Sequence, residues 1–110
     1  MNQSKQPLPL MRQGDVGLQR VSSMPDGMKE IPLDKGRVIL AYGEVTGHAH
    51  AIADTPKAKL WDAGAERFLQ VLEHTSLRHE EHAPIDLEPG IYQVIQQREY
   101  SPEEIRRVAD

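Results

Sequence analysis

Apolar residues in this chain fall in short runs with a period of two, roughly ten residues apart and divided by proline, glycine and aspartate. That rhythm predicts strands rather than helices. The most apolar run, Val38-Ile39-Leu40-Ala41-Tyr42, leads directly into Gly43-Glu44-Val45-Thr46-Gly47-His48-Ala49-His50. Read as one unbroken strand from Arg37 to about Ala53, the alternation sets Leu40, Tyr42, Glu44, Thr46, His48, His50 and Ile52 on one face. The other face, with Ala49, Ala51 and Ala53, carries residues small enough for another layer to lie close against it.

The remaining runs read the same way. Gln13 to Val21 alternates weakly, with Val16 and Leu18 on one side, and predicts a short first strand. Pro25-Asp26-Gly27 is a turn, because proline fixes φ and glycine accepts the left-handed conformation. Pro32 and Asp34-Lys35-Gly36 close that connection, and Asp54-Thr55-Pro56-Lys57 is a further turn. Ala58 to Asp62 and Glu66 to His74 predict a hairpin through Ala63-Gly64-Ala65. In its return strand Leu69 and Val71 oppose Phe68 and Leu72, as in the interior of a barrel or sandwich. Ile85 to Leu87 and Ile91 to Gln96 flank Glu88-Pro89-Gly90, and a Pro-Gly pair suits the type II turn of a hairpin.

Ser101-Pro102-Glu103-Glu104 predicts a helix over 102–109, with an N-cap serine, proline at the first helical position and glutamate at the third. Ile105 and Val108 give it one apolar edge. The predicted fold class is therefore mainly β: a small antiparallel barrel or sandwich with one short C-terminal helix. Residues 1–11, polar and then punctuated by Pro7 and Pro9, predict a flexible N-terminal arm. Residues 12–110 predict a single β-rich domain.

Composition narrows the chemistry. Seventeen acidic against thirteen basic residues give a net charge of −4, which argues against an electrostatically driven nucleic-acid binder. One tryptophan, one phenylalanine and three tyrosines make no stacking platform for bases. With no cysteine, disulfides and thiolate metal sites are excluded, and any metal must be held by His, Asp or Glu. Met1 to Gln6 lacks the apolar core of a secretory signal and no run reaches membrane-spanning length, so the expectation is a cytoplasmic protein without a membrane partner.

Four of the five histidines lie in two clusters. His48 and His50, at i and i+2 on a strand, point the same way. His79-Glu80-Glu81-His82 follows about thirty residues on, where a second strand end could return to meet the first. His48, His50, His79 and His82 are the candidate metal ligands, and imidazoles with or without a carboxylate suit a divalent ion such as zinc, nickel, iron, manganese or copper. Glu44, Glu80 and Glu81 are the nearby carboxylates, as a further ligand or as a base acting on bound water; Glu44 and Glu81 are the candidate catalytic groups. A four-His shell would be closed and would favour storage, sensing or structure, whereas three ligands would leave a position for chemistry. Short histidine motifs also arise on plain surfaces and in hydrogen-bonded cores. His74, alone in a polar run, reads as surface, and Trp61 as a core plug.

The central segment, together with His-Glu-Glu-His-Ala-Pro-Ile, Pro-Gly-x-Tyr-x-Val and Gln-Arg-Glu-Tyr-Ser-Pro-Glu between His79 and Glu103, resembles a group of small uncharacterised bacterial and phage-encoded proteins. That resemblance covers roughly residues 36–110 and implies no particular activity. The strand-borne His48-x-His50 after a glycine, with a Pro-Gly turn downstream, is also similar to the cupin superfamily of metal-holding jelly-roll barrels, where this pair would match the cupin histidines. The chain departs from that pattern in the Gly43-to-His48 spacing, in lacking a glutamate soon after the pair, and in placing His79 and His82 before the Pro-Gly turn. Two readings stand side by side. One is a divalent-metal-binding small β protein using a histidine cluster, its catalytic role open and a small-molecule ligand its partner. The other is a non-enzymatic self-assembling or protein-interaction module, a homo-oligomer whose histidines are structural or lie at a subunit interface.

Overall fold

A computed structural model of the protein describes residues 10–43, 47–53 and 55–96. They form ten strands: β1 (Leu10–Gln13), β2 (Val16–Val21), β3 (Lys29–Glu30), β4 (Val38–Tyr42), β5 (Ala49–Ile52), β6 (Ala58–Asp62), β7 (Arg67–Val71), β8 (Thr75–Leu77), β9 (Ile85–Leu87) and β10 (Gly90–Gln96). Six make one antiparallel sheet in the order β1-β2-β10-β7-β6-β3. This sheet is not closed, because β1 and β3 stand at its edges. The other four form two hairpins, β4-β5 and β8-β9. A bridge between Ala51 and Arg78 joins them, each backbone N–H donating to the other's carbonyl at 2.9 Å.

Alternation explains how the layers meet. Val16 and Leu18 of β2, Leu60 of β6, Leu69 and Val71 of β7, and Tyr92 and Val94 of β10 share one face of the large sheet. Against them pack Val38, Leu40 and Ile52 from one hairpin and Leu77 and Leu87 from the other. Each such side chain, removed from water, contributes about 1.5–3 kcal/mol. Phe68 and Trp61, paired across β7 and β6, belong to the opposite face. There Trp61 is half-buried and donates Nε1–H to Gln70 at 3.0 Å, so it is not the core plug its size suggested.

The Ala58–Asp62 hairpin, the turns at Gly27 and Gly36 and the core positions Val16 and Leu18 follow the sequence pattern. Three connections do not. Gln13 to Val21 is two strands, because Gly14 (φ +60°) and Asp15 make a two-residue turn with glycine first, the type II′ arrangement. The long strand from Arg37 to Ala53 is a hairpin: Gly43 N–H donates to the His48 carbonyl at 2.8 Å, and Gly47 at φ +88° cannot continue an extended chain. A bulge at Leu40 also shifts the register, leaving Tyr42 60% exposed rather than beside His50.

The third is the Pro89-Gly90 hairpin, which does not form. β9 pairs with β8, whereas β10 enters the large sheet between β2 and β7. Arg20 holds this crossing, donating to the Pro89 carbonyl at 2.7 Å and lying over the Tyr92 ring, whose hydroxyl donates to the Glu88 carbonyl at 2.7 Å. Leu10 and Met11 pair with Gln19 and Leu18. Residues 1–9, Glu44, Asp54, Ser101 and the helix expected over 102–109 lie outside the described residues.

A candidate metal centre

The two histidine clusters meet. His48 immediately precedes β5 and His50 lies within it, while His79 and His82 sit in the connection between the Arg78 bridge and β9. The bridge brings that connection alongside β5. His79 is the hub: its ring centre is 5.6 Å from His48, 4.3 Å from His50 and 4.6 Å from His82. Two glycines make the packing possible. A Cβ on Gly14 would stand 2.7 Å from His82 Nε2, and one on Gly43 would stand 3.1 Å from His79 Nε2.

The most buried ring has its protons assigned by its neighbours. Gln13, itself 2% exposed, donates its amide N–H groups to the carbonyls of Leu77 and Ala83, both at 2.9 Å. Its oxygen is then the acceptor left for His50 Nδ1 at 2.8 Å, so His50 carries its proton on Nδ1 and a free lone pair on Nε2. That Nε2 lies 3.5 Å from Asp15. Burial and then the neighbouring His79 lower the His50 pKa, Asp15 opposes them, and the ring is held neutral, the form a ligand requires.

Ala49 N–H donates to Glu80 at 2.9 Å, and this bond above all lowers the Glu80 pKa and keeps the carboxylate ionised. Glu81 N–H donates to His79 Nδ1 at 3.0 Å, so the neutral His79 ring carries its proton on Nε2. The Glu81 side chain itself approaches His48 Nδ1 at 3.5 Å. Among the described residues, one donor atom each from His48, His79 and Glu80 falls within 4.8 Å of the others, a group able to hold a metal ion. His50 and His82 stand beside that group. Glu44 lies outside the described residues, and His74 is exposed and apart.

Sequence reasoning offered Glu80 as one of three carboxylates that could add a ligand or a base, without singling it out from Glu44 and Glu81, and missed Gln13 and Asp15 as site residues entirely. Alternation gave no signal for Gln13: in one strand from Gln13 to Val21 it falls on the face opposite Val16 and Leu18, and only the Gly14-Asp15 turn, which pairs it with Val16, brings it to the core side. Nothing in the sequence brings β1 to β5.

On the outer side of this cluster Ala49, Ala51 and Ala53 line a cavity of about 280 Å³ with Arg37, Arg78, His79 and Glu80. Fold and site together define a small, mainly-β domain with a candidate His/His/Glu metal-binding group. The chain belongs to the family described as Domain of unknown function (DUF8820), whose profile matches residues 12–97. That match carries no cupin relationship. No curated protein and no solved structure matches the chain.

Proposed function

We propose that the protein binds one divalent metal ion at the histidine cluster, through His48, His79 and Glu80, with His50 and His82 as the adjoining imidazoles. The observation that carries this reading is the convergence of three donor atoms within 4.8 Å from segments about thirty residues apart. Bonds of about 2.0–2.1 Å to a tetrahedral zinc would set the donors roughly 3.4 Å apart, so small side-chain rotations suffice. Two neutral imidazoles and one carboxylate suit zinc, nickel, iron(II) or manganese and would leave a coordination position open, and two of the three residues, His79 and Glu80, also line the cavity. A bound ion would supply Lewis acidity there, and Glu81, with Glu44, is the candidate base.

A second reading, in which the histidines are structural, draws on how fully the group is already satisfied by Ala49 N–H, Glu81 N–H and Gln13. Metal content of untagged protein separates the two. One equivalent per chain is expected, with His79→Ala and Glu80→Ala each lowering affinity about tenfold or more, the scale seen when supporting groups of metal sites are removed. His74→Ala should leave it unchanged. Absence of metal, with no change in melting temperature on adding zinc, nickel or iron(II), would favour the structural reading.

The ring protons add a sharper marker. Coordination through Nδ1 uses the lone pair that Glu81 N–H now occupies, and coordination through Nε2 puts a proton on Nδ1. Either way the Glu81 hydrogen bond breaks, at a cost of about 0.5–1.5 kcal/mol. The Glu81 amide resonance should therefore move on metal addition. If it stays in place in metal-loaded protein, His79 is not a ligand.

A further inference from the structure

We infer that the cavity beside the histidine cluster is a binding site for a small oxyanion, a carboxylate or a phosphate carried by a compact molecule. Arg37 and Arg78 line it, and both are anchored through their backbones. Arg78 makes the two hydrogen bonds of the Ala51 bridge, and Arg37 exchanges two with Asp34 across the Lys35-Gly36 turn. Their side chains are unspent: among the described residues neither guanidinium has an ion pair or hydrogen-bond partner. Guanidinium groups match carboxylate and phosphate oxygens in paired, charge-assisted hydrogen bonds.

The floor is made for close approach. Ala49, Ala51 and Ala53 alternate along β5 and its end, and a larger residue at any of them would fill the space. Among the described residues Glu80 is the one acidic residue in the lining, and Ala49 N–H already engages it. Two positive charges against one favour an anion, more so if Glu80 also neutralises a metal. About 280 Å³ is at the small end of ligand cavities, which suits a small metabolite-sized anion. The site shares His79 and Glu80 with the proposed metal group and rests on that reading only for a second anchor point on the ligand.

The test is an NMR titration of the full chain, metal-free and zinc-loaded, with succinate and with sulfate, a tetrahedral oxyanion that does not precipitate zinc. Saturable shifts at the Arg78, Ala51 and Ala53 amides are expected. Succinate alone would mark a carboxylate site, and sulfate a phosphate site. Arg37→Gln and Arg78→Gln should each weaken binding about tenfold, the loss of a charge-assisted pair, and should leave zinc affinity and melting temperature unchanged. Arginine-dependent anion binding in a protein that takes no zinc would retain this inference and remove the metal reading. Zinc binding without saturable shifts from either anion would overturn the inference and leave the metal reading standing. So would anion binding that both arginine variants keep at full strength.

Discussion

Gln13→Glu is nearly isosteric, yet it should damage the protein at the point where β1, β5, β8 and the His82 connection meet. The wild-type amide donates to Leu77 and Ala83 and accepts from His50. A carboxylate can still accept from His50 but has nothing to donate, so two carbonyls lose their partner and face negative charge. Leaving a buried carbonyl unsatisfied costs about 1–3 kcal/mol, and the partly buried Ala83 site is nearer water, so about 2–4 kcal/mol in all is expected at neutral pH. For a domain of this size that lowers the melting temperature by about 10–30 °C. Burial raises the introduced carboxyl's pKa above its unfolded value of about 4.3. The sign follows: the variant should come closest to wild type below that pH and fall behind as pH rises through the folded value. Thermal unfolding of both proteins at pH 4.5 and pH 7.5 reads this directly. A variant within about 0.5 kcal/mol of wild type at pH 7.5 would falsify the assignment of the Gln13 amide and, with it, the His50 tautomer.

Two further outcomes are expected. His50 has a folded pKa below its unfolded value of about 6.5, so its contribution is complete above that pH and is lost as pH falls through the folded value; denaturant titrations should show stability dropping below about pH 6.5, less so in His50→Gln. Gly90→Val should destabilise by about 1 kcal/mol or more, because Gly90 has φ +153° and a Cβ would stand 2.6 Å from the Arg20 guanidinium; Arg20→Ala in the same chain should recover part of that loss, and no recovery would rule out the clash.

Much of the local structure was legible in the residues. Period-two alternation marked Val16, Leu18, Leu69 and Val71, and Gly27, Gly36 and Gly64 marked turns because each takes a positive φ. The site was legible as two histidine clusters, since their residue types and spacing do not depend on the fold. Where one strand stopped was harder to read. An extended Gly43-to-Ala53 run and a hairpin can be written in the same alternating residues, and among the described residues Gly47's left-handed backbone and the Gly43–His48 hydrogen bond mark the hairpin.

Partner choice belonged to the tertiary structure alone. Pro89-Gly90 carries the local chemistry of a hairpin turn, but β10 gains more by burying Tyr92 and Val94 between β2 and β7 than by pairing with β9. The same level of organisation placed Gln13 beside His50, Glu80 beside His48, and two arginines over the alanine face of β5. Backbone alternation is a local property, set by the chain's own geometry at each residue. Which strands lie side by side is decided by the shared burial of apolar faces, and that depends on the whole chain at once.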